Sequence, residues 1–141
     1  HQNISGFFGK WLGAELKTIE AYKQIDVVVP VPLYKTKLRQ RGYNQVEQFG
    51  KSIAESLNAD YNDTVLIKTK STKTKVFKGR LSRWNDDGAV FAISDNSSLK
   101  GKHILLVDDI ITTGATVEAC ATELLKIDNI KLSLATMAIA D

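Results

Sequence analysis

Cysteine, proline and histidine are scarce in this sequence, and the shortages of cysteine and proline each argue against a class of protein. The 141 residues include one cysteine, two prolines and two histidines. A lone thiol cannot form a disulfide within the chain, so Cys120 is expected in the core and the protein is expected in the cytoplasm, where thiols stay reduced. Two prolines and no biased tract argue against long disordered linkers. No hydrophobic run approaches the ~20 residues of a membrane-spanning helix, so no membrane span is expected.

Positive charge is present in clusters rather than in large excess. The formal net charge is only +3, but eleven of the 19 lysines and arginines lie in Lys35–Arg41 and Lys68–Arg83, two stretches without an acid. Such clustering suits a polyanion, either a pyrophosphate or a nucleic-acid backbone. A solvated basic face is the alternative that the pattern leaves open. The hydrophobic fraction of 43% and the charged fraction of 25% are otherwise ordinary for a globular protein.

The stretch His103–Thr116, HILLVDDIITTGAT, is the most informative part of the sequence. Four consecutive apolar residues, Ile104–Val107, predict a strand buried on both faces, and Asp108 and Asp109 follow it directly. A turn rich in hydroxyl groups and centred on Gly114 comes next. A helix is predicted beyond this turn, because apolar residues recur at the spacing of one buried helix face at Val117, Cys120, Ala121, Leu124 and Leu125.

This order of strand, acidic pair, glycine turn and helix has a chemical interpretation. A helix that begins after such a turn presents unpaired backbone N–H groups and the positive end of its dipole, which suits a phosphate. Gly114 allows the backbone to approach the anion closely. Two adjacent carboxylates would repel a phosphate, so they are better placed as acceptors for vicinal hydroxyls or as distant partners of a phosphate-bound Mg²⁺. A sugar that carries both hydroxyls and a phosphate would satisfy both halves of the stretch.

The rest of the sequence predicts alternating helices and strands. Periodicity favours helices at Phe7–Lys23 and from Asn44 to Leu57, and strands at Asp26–Leu33, Val65–Lys68, Ala89–Ile93 and Leu132–Ile139. The first of these strands should end near Pro30, because proline has no N–H for the strand ladder. The basic stretch Ser71–Arg83 is interpreted as a loop or hairpin tip. Together these elements predict a single α/β domain over residues 1–141, with a mostly parallel central sheet flanked by helices.

The segment VDDIITTGAT closely resembles the phosphoribosyl pyrophosphate (PRPP) signature of type I phosphoribosyltransferases. The resemblance implies that Asp108 and Asp109 hold the ribose 2′- and 3′-hydroxyls during catalysis. It also implies that the following loop binds PRPP through Ile111, Thr112, Thr113, Gly114, Ala115 and Thr116.

Three further motifs, PVPL at 30–33, RGYNQ at 41–45 and the pair Arg83-Trp84, are similar to motifs of the ComF family. This likeness extends over about residues 5–141. ComF proteins are phosphoribosyltransferase-like, so both resemblances imply the type I phosphoribosyltransferase fold. Residues 1–23 would then form a small or truncated hood around an N-terminal helix.

Further roles are implied by the resemblance alone. The loop after the first strand would hold pyrophosphate through Val31, Pro32 and Leu33, together with Arg41, Gly42 and Asn44, and Asn44 is equally suited to cap the following helix. The basic stretch would supply a lid through Lys75, Arg80 and Arg83. Mg²⁺ would arrive with PRPP rather than on direct protein ligands. No zinc is expected, because the four-cysteine module that often precedes ComF domains has no counterpart here. Lys75 stands where the family usually has a glutamine, and Asp86 stands near the position of its asparagine.

The implied function is transfer of the phosphoribosyl group of PRPP to a nitrogen acceptor, with release of pyrophosphate. Its transition state has oxocarbenium character, so positioning and electrostatics replace a side-chain nucleophile. The sequence does not reveal the acceptor. One alternative is a non-catalytic DNA-uptake (competence) accessory protein that binds single-stranded DNA, through its basic clusters and the rings of Phe77 and Trp84, or a competence helicase. A regulator that senses PRPP is a third hypothesis, and a homodimer is left open.

Overall fold

A four-stranded parallel sheet lies at the centre of the fold. The computed structural model describes residues 2–33, 46–69, 90–94 and 97–140. The sheet contains β1 (Val27–Pro30), β2 (Asp60–Tyr61), β5 (His103–Ile111) and β6 (Lys131–Ile139), and their spatial order is β2-β1-β5-β6. A separate antiparallel ribbon consists of β3 (Leu66–Lys68) and β4 (Phe91–Ile93). The predicted α/β class with a parallel central sheet is therefore confirmed.

Helices and the ribbon cover the two faces of this sheet. The helices among the described residues are α1 (Gln2–Leu16), α2 (Glu20–Lys23), α3 (Val46–Leu57) and α4 (Ala115–Leu124), with a short 3₁₀-helix at Ser97–Leu99. Alternate residues of β1 point to opposite faces: Val28 packs with α1 and α3, whereas Val27 and Val29 pack with α4 and the ribbon. Because both faces are covered, β1 and β5 carry uninterrupted apolar runs, as expected for central parallel strands.

The amino-terminal segment differs from the single helix predicted over Phe7–Lys23. Instead, α1 ends at Leu16, residues 17–19 form a turn, and α2 is only 4 residues long. The Thr18 hydroxyl donates to the Glu15 carbonyl oxygen at 2.7 Å. This side-chain bond occupies a carbonyl at the end of α1 and so competes with continuation of the helix.

The buried face of α1 combines two glycines with part of the predicted apolar stripe, which comprised Phe8, Leu12, Leu16, Ile19 and Tyr22. Leu12 and Tyr22 pack against the core as predicted, whereas Ile19 is 46% exposed. Gly9, Gly13 and Leu16 are buried, whereas Phe8 of the predicted stripe is 39% exposed. A β-carbon at Gly9 would lie 2.6 Å from the Phe49 carbonyl oxygen of α3. The two helices thus approach so closely that a larger residue would force them apart. Four bulky apolar side chains of α1 are exposed, namely Ile4, Phe7, Phe8 and Trp11.

The other predicted elements are present with small shifts of their boundaries. The strands predicted at Val65–Lys68 and Leu132–Ile139 correspond to β3 and β6. The predicted apolar face of α3 is buried at every position, Val46, Phe49, Ile53, Ala54 and Leu57. Asn44, the candidate cap of this helix, lies outside the described residues, as does Ala89, the predicted start of β4.

The largest departures from prediction flank the glycine turn. β5 does not stop at Val107 but runs through the acidic pair to Ile111, because β6 pairs with it as far as Ile139. Leu125, predicted on the buried face of α4, follows the end of the helix and is 59% exposed. Ile127, in the turn beyond, is buried in the core. The acidic pair is therefore held by the strand ladder rather than by a loop.

Candidate functional site

The carboxyl ends of β1 and β5 lie side by side and bring two predicted segments together. Pro30 pairs with Val107 in the sheet, and the Val31 N–H donates to the Val107 carbonyl oxygen at 2.9 Å. The predicted pyrophosphate loop therefore begins beside the acidic pair. Val31 is buried, whereas Pro32 and Leu33 are half-buried. In α/β proteins, ligands commonly bind beyond the carboxyl ends of parallel strands.

The loop between β5 and α4 has the geometry of an anion-binding turn. Gly114 precedes the first turn of α4 with a φ of +80°, a left-handed conformation that glycine adopts without strain. Thr112 and Thr113 are exposed, and Thr113 Oγ1 accepts the Ala115 N–H at 3.3 Å. The first N–H groups of a helix lack partners within it, so they face this loop together with the positive end of the dipole. A concavity here is lined by Asp108, Ile110, Ile111, Thr112, Thr113, Gly114, Ala115, Thr116 and Val117.

The two carboxylates of the acidic pair have different environments, because neighbours on a strand point to opposite faces. Asp108 is 8% exposed and lines the loop concavity, whereas Asp109 is more exposed. Asp108 Oδ1 accepts the Asp109 N–H at 2.8 Å, and Asp109 Oδ1 accepts the Ile110 N–H at 2.7 Å. Burial raises the pKa of Asp108 to about 6, and hydrogen bonding with Asp109 and its negative charge also act on this pKa. At neutral pH Asp108 is still mainly ionised and can accept hydrogen bonds from hydroxyl groups.

Two side chains from other elements interact electrostatically with Asp108: Asp108 acts on Cys120, and Lys68 acts on Asp108. Cys120 of α4 is fully buried, and its burial, followed by the negative charge of Asp108, raises its pKa to about 12. The thiol is therefore neutral, and its predicted place in the core is confirmed. Lys68, the last residue of β3, has the opposite effect, because its ammonium lowers the pKa of both groups. In the sequence Lys68 was only one of many basic residues, and no local signal indicated that its charge acts on the pKa of Asp108.

A cavity of about 320 Å³ lies beside the loop, between β4 and α4. The cavity and the loop concavity share Ala115 in their linings, and Phe91 forms part of the cavity wall. The Lys68 ammonium lies over the Phe91 ring, 5.4 Å from its centroid, in a cation–π contact. The lining combines apolar groups with two carboxylates: Val90, Phe91, Ala115, Glu118, Ala119, Thr122 and Glu123. Nothing in the sequence had indicated this cavity.

His103 lies at the opposite end of β5 from the glycine turn. Its Nε2 is 2.8 Å from Ser133 Oγ, and its backbone N–H donates to Asp26 Oδ2 at 2.8 Å. Burial lowers the pKa of His103, and the positive charge of Lys131 lowers it further, against the opposing effect of Asp26. The imidazole is therefore a structural group at the amino end of the sheet and takes no part in the candidate site.

Several predicted site residues lie outside the described residues. They are Arg41, Gly42 and Asn44 of the pyrophosphate loop and Lys75, Arg80 and Arg83 of the lid. Within the described ranges, no three histidine, cysteine, aspartate or glutamate side chains lie close enough together to hold a metal ion. Among the same residues, none of the helices combines the length and the apolar character that crossing a bilayer requires.

Solved structures with the same arrangement define the class of fold. Adenine phosphoribosyltransferase from Saccharomyces cerevisiae superposes with a TM-score of 0.58 and 21% identity, over 96% of this chain and 70% of that one. The glutamine PRPP amidotransferase from B. subtilis superposes with a TM-score of 0.60 and 21% identity, over 92% of this chain and 26% of that one. With the parallel sheet and the glycine turn after β5, these likenesses define a type I phosphoribosyltransferase fold.

Sequence similarity extends this result from the fold to the family. Residues 43–141 match the phosphoribosyl transferase domain, and the chain belongs to that family. Competence protein ComFC from Streptococcus pneumoniae is 34% identical over 110 residues, which are 78% of this chain and 44% of that protein. DNA utilization protein YhgH from Escherichia coli is 31% identical over 102 residues, 72% of this chain and 44% of that protein. The predicted relation to the ComF family is confirmed, although the chain spans less than half the length of these two relatives.

Proposed function

We propose that this chain binds PRPP or ribose 5-phosphate at the carboxyl ends of β1 and β5, and that it transfers the phosphoribosyl group of PRPP to a nitrogen acceptor with release of pyrophosphate. The observation that carries the proposal is the left-handed Gly114 at the start of α4, in a concavity that Asp108 also lines. A phosphate-binding turn and a hydroxyl acceptor in one small site match the two functional groups of a sugar phosphate. The names of the similar solved structures support the same class of ligand.

Each segment of the site binds one part of PRPP in this proposal. The first N–H groups of α4 and the Thr112 and Thr113 hydroxyls bind the 5′-phosphate. Asp108 and Asp109 accept hydrogen bonds from the ribose hydroxyls, and the backbone of residues 31–33 faces the diphosphate. Mg²⁺ offsets the charge of the diphosphate when it is bound. The diphosphate oxygens are ligands that this ion prefers, so it needs no cluster of protein ligands.

Displacement at ribose C1 requires no nucleophile from the protein. The acceptor nitrogen forms a bond to C1 while the C1–O bond to pyrophosphate breaks, and the pyrophosphate leaves with the electron pair. Positive charge develops on the ribose in the transition state, and the nearby carboxylates of Asp108 and Asp109 stabilise that charge. The Cys120 thiol, which is enclosed and neutral, takes no part.

Calorimetric titration with ribose 5-phosphate, and with PRPP plus Mg²⁺, tests the proposal in wild type and in Gly114→Val. A β-branched residue disfavours a positive φ and would also block the approach of the phosphate. We expect at least a tenfold loss of ribose 5-phosphate affinity in this variant.

Gly101→Val is the matched control for the glycine turn. Gly101 has a φ of +70°, and a β-carbon at either glycine would meet no atom within 4 Å, so backbone strain is similar at both sites. That strain should cost each variant about 1–2 kcal/mol of stability. Because Gly101 precedes β5, at the end of the strand away from the site, Gly101→Val should bind normally. Wild-type affinity in Gly114→Val, or a wild type that binds neither ligand, would refute the proposal.

Handling of single-stranded DNA without catalysis is a second candidate function. The relatives named competence protein and DNA utilization protein favour it. The basic clusters at Lys35–Arg41 and Lys68–Arg83 would supply the charge that a nucleic-acid backbone requires. A competence helicase is the protein partner that this alternative implies. Arg80 and Arg83 are common to both hypotheses, but Gly114 belongs to the sugar-phosphate site alone, so Gly114→Val should lower ribose 5-phosphate affinity and leave DNA binding unchanged.

A further inference from the structure

The pairing of β5 with β6 is interrupted at the acidic pair. Asp108 pairs with Thr136, and Ile110 pairs with Ala138. Asp109, which lies between these two pairs on β5, has no partner in the register of the described strands. The strands keep the same offset on both sides of this gap, so neither of them gains a residue there. The interruption therefore lies inside the candidate site and directly beside Thr136.

The hydrogen bonds of the ladder also change phase across this gap. Before it, the Lys131 N–H donates to the Lys102 carbonyl oxygen at 3.0 Å, and after it the Ala140 N–H donates to the Ile111 carbonyl oxygen at 2.9 Å. These two bonds are nine residues apart on each strand. Bonds from one parallel strand to its neighbour recur at every second residue, because successive N–H groups point to opposite sides of the strand. An odd spacing therefore requires the backbone to reorient between the two bonds, which agrees with the gap at Asp109.

Side chains form hydrogen bonds at this gap. The Asp109 N–H donates to Asp108 Oδ1 at 2.8 Å, and the Ile110 N–H donates to Asp109 Oδ1 at 2.7 Å. From β6, the half-buried Thr136 hydroxyl lies 3.2 Å from the Asp109 carbonyl oxygen and 3.0 Å from the Ala138 carbonyl oxygen. Its proton is shared between these two acceptors, so the hydroxyl links the two strands where the backbone register is interrupted.

The Thr136 hydroxyl contacts the same peptide unit that orients the Asp109 carboxylate. The Asp109 carbonyl oxygen and the Ile110 N–H belong to one peptide, and because a peptide is planar, fixing the direction of the oxygen also fixes the direction of the N–H. That N–H donates to Asp109 Oδ1 and so restricts rotation of the carboxylate. A contact from β6 thus controls the orientation of a side chain on β5.

We propose that Thr136 is a positioning residue, whose hydroxyl fixes the 109–110 peptide and thereby holds the Asp109 carboxylate ready to accept a ribose hydroxyl. This inference rests on the proposed function and adds to it a residue from a strand outside the PRPP signature. A carboxylate that is already oriented loses less conformational entropy when the ligand binds. Because binding groups tolerate only small displacements, a hydroxyl that does not itself contact the ligand can change its affinity.

Calorimetric titration of ribose 5-phosphate into Thr136→Val and Thr136→Ser tests this role. Valine has nearly the shape of threonine and suits a strand, but it has no hydroxyl, so affinity should fall by about three- to tenfold. Serine keeps the hydroxyl and should restore affinity to near the wild-type value. Ser133→Ala is the matched control, because it removes a hydroxyl from the other end of β6, where Ser133 Oγ lies 2.8 Å from His103 Nε2. This control should lose stability but bind as wild type does.

A double-mutant cycle with Asp109→Ala distinguishes positioning from a general disturbance of β6. Once the carboxylate is absent, the Thr136 hydroxyl has no binding group to orient. Thr136→Val should therefore lower affinity by much less in the Asp109→Ala background than in wild type. A merely structural disturbance would lower affinity by the same factor in both backgrounds.

The outcomes separate this inference from the proposed function. If wild type binds but Thr136→Val has unchanged affinity, or loses affinity equally in both backgrounds, the role of Thr136 alone is overturned. The same holds if Thr136→Ser binds as weakly as Thr136→Val. A wild type that binds no ribose 5-phosphate would overturn the proposed function, and the role of Thr136 with it. Should Thr136→Val fail to fold, Thr136→Ala replaces it with the same criteria.

Discussion

Replacement of Asp108 by asparagine should make the protein more stable at neutral pH while it weakens ligand binding. The Asp108 side chain is buried, and this burial raises its pKa from 3.8 to about 6. The folded state therefore keeps the proton to a higher pH than the unfolded chain does, and above pH 6 it holds a poorly solvated charge. An amide removes that charge, and its oxygen can still accept the Asp109 N–H.

The size and the sign of the effect follow from the two pKa values. A rise from 3.8 to about 6 corresponds to about 3 kcal/mol, at ~1.36 kcal/mol per pH unit. Because Asp108 borders an open concavity, water reduces this penalty, and we expect Asp108→Asn to be more stable by about 1–2 kcal/mol at high pH. Below about pH 3 the carboxyl is mostly protonated in both states, so the advantage is absent there. It should begin to grow near the unfolded pKa of 3.8 and stay constant above about pH 7.

Urea unfolding at several pH values, followed by circular dichroism, measures these differences. Asp109→Asn is the matched control, because it makes the same charge change at the adjacent, more exposed carboxyl group. Its free energy of unfolding should stay within about 0.5 kcal/mol of wild type. If Asp108→Asn were less stable than wild type at pH 8, or if its full stability advantage were already present at about pH 3, the cost of a buried charge would not be the explanation.

Both asparagine variants should bind ribose 5-phosphate more weakly than wild type. The loss of charge-assisted hydrogen bonds to hydroxyl groups should cost about 1.5–3 kcal/mol, or more than tenfold in affinity. Calorimetry at neutral pH measures this difference. A gain of stability and a loss of affinity in one variant would mark Asp108 as a group kept for function at the expense of stability. Unchanged affinity in both variants would refute the hydroxyl-binding role.

Two further predictions concern the α1–α3 contact and the basic stretch. Gly9→Ala should destabilise the protein by about 1–3 kcal/mol in urea unfolding, because its β-carbon would meet the Phe49 carbonyl oxygen at 2.6 Å. Gly6→Ala, whose nearest neighbour would lie at 3.9 Å, should instead be neutral or slightly stabilising through helix propensity. Charge reversal at Arg80 and Arg83 should lower PRPP affinity but leave ribose 5-phosphate affinity nearly unchanged, since a lid would reach only the pyrophosphate. Loss of single-stranded DNA binding with a log–log salt slope of about −0.7 per phosphate, without any loss of PRPP affinity, would contradict the lid.

Most of the fold could be predicted because local patterns dominate it. The apolar runs of β1 and β5 need cover on both faces, and the periodic face of α3 needs a sheet to pack against. The prediction failed for α1, whose close contact with α3 depends on small residues. Gly9 and Gly13 lie on the buried side of α1 beside Leu16, and no hydropathy pattern marks a glycine as a core position. Leu125 fits the helical period of α4, but the helix ends before it.

The sequence by itself determined the order of strand, acidic pair, glycine turn and helix, since Gly114 and the apolar runs act on their immediate neighbours. From that order it indicated the family and the class of ligand. Only the tertiary structure decided that β5 continues through the acidic pair, that Asp108 faces the core, and that Lys68 of the ribbon acts on it. These features depend on β6, α4 and the ribbon packing around β5. Burial and electrostatic energy depend on which segments, distant along the chain, lie close together in space. A local sequence pattern contains no information about that spatial proximity.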